Sequence, residues 1–281
     1  MEIINLKILD TVILNKPKQI VRCDYRLMPN LTINKSLVID MMLHSVQSLA
    51  YTSFGKLTYE QLFDTWFSMD LSDFLRIYTD EKNTKYSNKF LNDMANDILE
   101  YKFISYDKMK IEYGILFPNI KFEYDKFLFK MNTELIKAIF SSDKIIGNEN
   151  SKKNAYYISY NYRELHKDYN LTITEILMYQ NILYDNFKMR KNKSITIPID
   201  EFKGFCGIKS KNNRYVKSVI LTGIKKINDI LEKYENKMTE DIQIGVNFDE
   251  TGKYNSIRNV NLWIMGEPLI DVNNLKISIL D

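Results

Sequence analysis

Cysteine, histidine and long apolar runs are the scarce features of this 281-residue sequence, and each scarcity removes a class of function. The two cysteines, Cys23 and Cys206, lie far apart and outside any metal-ligand spacing, so they read as core residues of a protein suited to a reducing cytoplasm. The two histidines, His44 and His166, have neither an H-x-x-x-H partner nor a cysteine at ligand spacing. No metal and no cofactor are therefore expected. Gly-rich phosphate loops are missing too: neither G-x-x-x-x-G-K-[ST] nor G-x-G-x-x-G occurs. No apolar run approaches the roughly 18–20 residues that a membrane helix needs, and the first stretch, MEIINLKILDTVILNKPKQ, scatters charges through its apolar residues, unlike a signal or anchor. Tyrosine is plentiful at 19 residues, but a nicking or recombinase tyrosine wants a His cluster or an Arg/His constellation beside it, and neither is visible. The expectation is a cytoplasmic protein that is not an enzyme.

What the chain does contain is enough apolar residues for a sizeable core (45%) and an uneven charge. Residues 1–150 carry 19 Lys and Arg against 20 Asp and Glu; residues 151–281 carry 20 against 16. Between Phe202 and Asn228 stand Lys203, Lys209, Lys211, Arg214, Lys217, Lys225 and Lys226 with no acidic residue, a net +7 in a chain of net +3. A concentrated basic element on a near-neutral body is the footprint of a nucleic-acid contact.

The sequence also repeats itself. LTINKSLVIDMMLHSV begins at Leu31 and LTITEILMYQNILYDNF at Leu171, 140 residues on. Thr172 and Glu175 have capping-box spacing, and Ile173, Ile176, Leu177, Leu183, Tyr184 and Phe187 follow a helical period. In the first copy Ile33, Leu37, Val38, Met41 and Met42 do the same, with Lys35 where the capping glutamate would be. A short strand-and-helix passage follows in each half, KLTYEQLFDTWF from Lys56 and ITIPIDEFKGFCGI from Ile195, aligned so that Tyr59 matches Ile199 and Leu62 matches Phe202. A third helix is expected from Tyr86 and from Asn213, the first preceded by a long loop at Leu71–Lys85. Alternating residues then predict a hairpin in each half, Ile120 to Met131 and Ile242 to Ile264, the latter about a turn at DETGK. Helix, strand, helix, helix and hairpin make a winged helix, so the fold expected is α+β with two tandem winged-helix domains, 1–150 and 151–281. Their boundary is placed in the polar stretch Ser141–Asn154.

Stepping the helix from Asn213 at 100° per residue puts Val216, Val219, Ile220, Gly223, Ile227, Ile230 and Leu231 on one side. Lys211, Arg214, Ser218, Leu221 and Lys225 stand opposite, with Lys217 and Lys226 on the flanks. The N-terminal end of such a helix points into the major groove. Arg214 and Asn213 are therefore expected nearest the bases, beside Asn212 and Ser218, and Lys209, Lys211, Lys217 and Lys225 on phosphates. Lys253 and Arg258 flank the hairpin turn and would reach the neighbouring backbone. In the first half the outward residues are Lys85, Lys89, Asn92, Asp93, Asn96 and Glu100, so only Lys85 and Lys89, at its start, suit DNA.

With this layout the sequence resembles the replication initiator (Rep) proteins of iteron-bearing plasmids. The resemblance rests on YRLMPNLTINKSLVIDMML, FLNDMANDILEYKFI, ILMYQNILYDNFK, IPIDEFKGFCGI and above all YVKSVILTGIKKINDI, a basic third helix ending in Ile-Asn. It implies binding of double-stranded DNA with direct repeats at a replication origin, recruitment of host replication proteins, and a homodimeric form that represses the protein's own gene. It also implies that the second domain reads the bases while the first supplies dimer contacts and a secondary DNA contact. A winged-helix transcriptional regulator with no initiator role would share the same layout.

Overall fold

The computed structural model describes residues 3–6, 13–28, 30–52, 59–79, 86–107, 110–140, 157–234, 243–251 and 256–265. It is an α+β protein whose contacts divide it into two compact units, 1–184 with 204–207, and 185–203 with 208–281. The division falls later than the boundary expected at 150, and the polar stretch 141–154 lies outside the described residues.

In the first unit, strands β1 (Ile3–Asn5), β3 (Trp66–Asp70), β6 (Asn119–Glu123) and β7 (Lys126–Lys130) form a sheet in the order β1-β3-β7-β6. β1 runs parallel to β3, and the other pairs are antiparallel. Phe127 and Phe129 of β7 are fully buried. Phe127 stacks on Phe74 at 3.9 Å between centroids, and Phe129 meets Phe67 and the edge of Phe117 at 5.6 Å each. Strand β2 (Ile13–Pro17) is followed by a single turn, α1 (Lys18–Val21), and pairs with β8 (Tyr157–Asn161). That pairing draws residues from beyond position 150 into this unit. A separate hairpin, β4 (Lys102–Asp107) with β5 (Lys110–Ile115), follows the third helix and was not expected from the sequence.

Helix α2 (Ile33–Thr52) is buried on every side from Ser36 to Ser48. It begins as the sequence suggested, with Thr32 Oγ1 accepting from the Lys35 amide at 3.2 Å. Its counterpart α6 (Ile173–Asn192), counted after α3 (Leu71–Thr79), α4 (Asn88–Leu99) and α5 (Thr133–Phe140), has the full capping box. The Thr172 amide donates to Glu175 Oε2 at 2.7 Å, and the Glu175 amide donates to Thr172 Oγ1 at 3.4 Å. Two buried hydroxyls on α2 return to the helix backbone, Ser45 to the Met41 carbonyl and Ser48 to the His44 carbonyl.

Two expectations for the first half need correcting. Leu71–Lys85 is not a long loop: residues Leu71–Thr79 are α3, because Leu71, Phe74, Leu75 and Tyr78 recur at helical spacing, with Phe74 and Leu75 buried. The strand is Trp66–Asp70 and not the passage from Lys56, so Tyr59 and Leu62, in a 3-10 turn, do not match Ile199 and Phe202. Strand β3 and helix α3 instead match β9 (Ser194–Pro198) and α7 (Ile199–Phe205), 128 residues later at both starts. The spacing changes between the first helix and the strand.

The β6–β7 turn places Tyr124 at φ 56° with 95% of its surface exposed. A tyrosine gains nothing from the left-handed region, which glycine and asparagine enter readily. Tyr124→Gly is expected to raise stability by about 0.5–1 kcal/mol, measured by denaturant titration; a loss would show that the side chain packs in solution.

Both histidines are buried and serve structure. His166 Nδ1 lies 2.7 Å from the Tyr162 carbonyl and Nε2 3.0 Å from Ser36 Oγ. Burial lowers both pKa values, His44 to about 4. The unfolded chain takes up protons from about pH 6.5 downward while the folded one resists, so stability falls as pH drops from 6.5 towards 4. Each histidine contributes at most about 1.4 kcal/mol per pH unit. His44→Gln should flatten that decline in denaturation midpoints; an unchanged slope would assign the effect elsewhere.

The second unit holds β9, the start of α7, α8 (Asn213–Tyr234) and a long hairpin, β10 (Gln243–Thr251) with β11 (Ser256–Met265). The sheet order is β10-β11-β9, and the first strand pairs antiparallel with the last, as β3 pairs with β7. Gly245 lies opposite Trp263, and a Cβ at Gly245 would come within 2.2 Å of the indole, so the ring lies across the glycine backbone. Val216, Ile220, Ile227, Val260 and Leu262 are the buried centre of this unit.

Candidate nucleic-acid interface

Helix α8 starts on a cap built from its own loop. Ser210 Oγ accepts from the Asn212 amide at 3.1 Å, and Asn212 Oδ1 accepts from the Tyr215 amide at 3.2 Å. One end of the Asn212 amide group is thus committed to starting the helix, and Asn213 and Arg214 are the first two helical residues. The periodicity holds along the helix. Val216, Ile220, Gly223, Ile224, Ile227 and Ile230 are buried, while Val219 and Leu231 are half-buried. Lys209, Lys211, Asn212, Arg214, Ser218, Leu221 and Lys225 are exposed, and Asn213, Lys217 and Lys226 sit at the margin.

Charge distinguishes this face more than shape does. Among the described residues Lys209, Lys211, Arg214 and Lys225 make no ion pair, so four cations stand on or beside one helix face without a carboxylate. The first unit does the opposite. Lys121 pairs with Glu123, Lys126 with Asp70, Lys130 with Asp64, and Lys35 with Asp97 of α4. On α4 itself Met94 and Ile98 are buried, Phe90, Leu91 and Ala95 half-buried, and Lys89, Asn92, Asp93, Asn96 and Glu100 exposed. Lys89 is one cation on a face that also carries Asp93; Lys85 lies outside the described residues.

The hairpin is fastened to α8 at two points. Near the far end Asn228 Oδ1 accepts from the Ile244 amide at 2.8 Å, and Asn228 Nδ2 donates to the Ile244 carbonyl at 3.0 Å. The Ile-Asn at the end of the basic helix is therefore a side chain completing a sheet edge. Near the start Lys217 pairs with Glu250 and lies 5.5 Å from the centre of the Phe248 ring. Of the cations expected on phosphates, Lys217 is the one the structure finds already occupied. Sequence reasoning named Lys217 but not Glu250, because a contact between a helix and a strand 33 residues later leaves no periodic trace.

On the opposite face of the hairpin Asp249 accepts from Asn259 at 3.0 Å and Asn261 at 2.7 Å, and Thr196 Oγ1 donates to Asn261 Oδ1 at 2.7 Å. The bonds from Asn259 and Asn261 hold the Asp249 carboxyl below the usual range. Between Asp249 and Glu250 the register slips: Asp249 faces Asn259 and Glu250 faces Ile257, leaving Arg258 as the extra residue of a bulge. The bulge lets Ile257 and Val260 both point inward, three positions apart, while Arg258 is exposed. Lys253 lies outside the described residues.

No group of three or more His, Cys, Asp or Glu among the described residues could hold a metal ion. Nor is any described helix long and apolar enough to cross a membrane. Both cysteines are buried and unbridged, with burial pushing the Cys206 thiol up.

No protein-family model matches the chain, and no curated protein matches it. Among solved structures, a Pi initiator protein in complex with iteron DNA is similar over 92% of this chain and 99% of that one, with a TM-score of 0.41 and 12% identity.

Proposed function

We propose that this chain is a sequence-specific duplex-DNA-binding protein with two tandem winged-helix modules, and that α8 is its reading helix. The observation that carries the reading is the group of exposed cations without an ion pair on and just before α8, Lys209, Lys211, Arg214 and Lys225, whereas Lys35, Lys121, Lys126 and Lys130 of the first unit are each paired with a carboxylate. Arg214 and Asn213 face the bases. Lys209, Lys211 and Lys225 hold phosphates, and Arg258 on the bulge reaches the adjoining backbone. Lys89 gives the first module at most a secondary contact.

The resemblance of the sequence to plasmid Rep proteins supports a more specific role. The protein binds direct repeats at an origin, recruits host replication proteins, and as a homodimer represses its own gene. Two DNA-contacting modules can follow successive major grooves about 10 base pairs apart. The test is selection of bound duplexes from a random library at about 0.15 M salt. A single enriched site spanning two grooves, recurring as direct repeats beside the gene, is the expected result. Enrichment without such repeats would favour a transcriptional regulator, and no enrichment would overturn the DNA reading.

A further inference from the structure

The contact between Lys217 and Glu250 has a consequence for binding strength. Lys217 stands in the second turn of α8, one turn from Arg214, on the flank of the face that carries the unpaired cations. Its ammonium is held by Glu250, and the two side chains keep 30% and 28% of their surface open to solvent. Along β10 the residues on this side are Ile244, Val246, Phe248 and Glu250, alternating as a strand requires. Glu250 is therefore the last residue of the inner face, at the rim where the hairpin meets the start of α8. The neighbouring carboxylate, Asp249, is on the outer face and is taken up by Asn259 and Asn261. Glu250 is thus the hairpin carboxylate that reaches α8.

We infer that Glu250 is a built-in stand-in for a DNA phosphate: it occupies Lys217 in the free protein and restrains binding to duplex DNA of any sequence. The inference rests on α8 being the DNA-reading helix. A carboxylate and a phosphate oxygen offer a lysine the same charge-assisted acceptor. The pair is part-exposed, so its own contribution to folding is small and it can open without loss of the core. To use Lys217, DNA must displace Glu250 and leave that negative charge close to the backbone. The restraint acts on phosphate and not on bases, so it lowers affinity for chosen and random sites alike and leaves their ratio unchanged.

The test is salt-dependent binding of the full chain to a selected duplex and to a random one, for the native protein, Glu250→Gln, Lys217→Gln and the double variant. Glu250→Gln is expected to raise affinity for both duplexes about 3–10-fold at ~0.15 M salt and to steepen the log–log salt slope by up to about 0.9. Lys217→Gln should cost little alone and more in the Glu250→Gln background, with melting temperatures of all four proteins close together. If Glu250 serves only to fasten the hairpin, Glu250→Gln will instead weaken binding and lower the melting temperature. That result, or unchanged affinity and slope, overturns the inference. Failure of the native protein to bind either duplex would instead refute the assignment of α8 as the reading helix.

Discussion

Asp40→Ala is expected to destabilise the protein by about 3–5 kcal/mol, enough to lower its melting temperature by about 6–20 °C. Asp40 is fully buried on α2, and its Oδ1 lies 3.0 Å from the ammonium of Lys16, itself only 2% exposed on β2. Lys16 also donates to Gln180 Oε1 on α6 at 3.0 Å, and Tyr160 on β8 donates to Asp40 Oδ2 at 2.6 Å. Gln180 Nε2 closes the ring by donating to the Tyr160 hydroxyl at 2.9 Å. Burial and the Asp40 charge raise the Tyr160 pKa well above its ordinary value, so this hydroxyl stays a donor.

Removing the carboxylate leaves an ammonium in the core with an amide oxygen and no counter-charge. That costs far more than the pair itself contributes, because the desolvation of Lys16 is no longer offset. The same reasoning predicts that Lys16→Met with Asp40→Leu recovers part of the loss, because it removes the unpaired ammonium but also takes away the acceptor of the Tyr160 hydroxyl and the donor to Gln180 Oε1. Thermal and denaturant unfolding of the three proteins decide the point. A loss under about 1 kcal/mol for Asp40→Ala would mean that water reaches Lys16, whereas the predicted cost requires a dry site.

Arg214→Ala is expected to weaken binding to the selected duplex by about 1–3 kcal/mol, or roughly 5–150-fold, and to relax the preference at one base position. Arg214 is exposed at the start of α8, where helix-turn-helix proteins place their base-reading side chains. A guanidinium forks onto the O6/N7 edge of guanine, a geometry that a lysine ammonium does not reproduce. Binding to random duplex should change far less, by no more than a phosphate contact. Equal losses on both duplexes would place Arg214 on the backbone and return the reading role to Asn213.

The sequence carried α8 almost whole. Its apolar residues recur at helical spacing over six turns, and the absence of any acid from Phe202 to Asn228 marks the outer face by composition alone. The capping box at Thr172 was legible because both partners are three residues apart and act locally. The first half was harder. LSDFLRIY sits before the polar DEKNTK and reads as loop, although Leu71, Phe74 and Leu75 keep a helical period. KLTYEQLFDTWF mixes β-formers with helix-formers, and the strand begins only at its end, at Trp66. The Asp40 network could not be read at all. Lys16, Asp40, Tyr160 and Gln180 come from two strands and two helices, and a lysine in a strand gives no sign that its charge is buried. For the same reason the join between Ile13–Pro17 and Tyr157–Asn161 was missed, and with it the later division between the units.

The most direct test of α8 as a DNA-binding face is the salt dependence of binding by the full chain and by Lys209→Gln/Lys211→Gln/Lys225→Gln. All three lysines are exposed, so the variant should fold with unchanged stability. With the selected duplex titrated from about 0.05 to 0.3 M salt, the log–log slope should fall by about 2–3 in the triple variant, close to 0.9 for each phosphate contact removed. Equal slopes for the two proteins would contradict the account, placing any DNA contact elsewhere on the molecule.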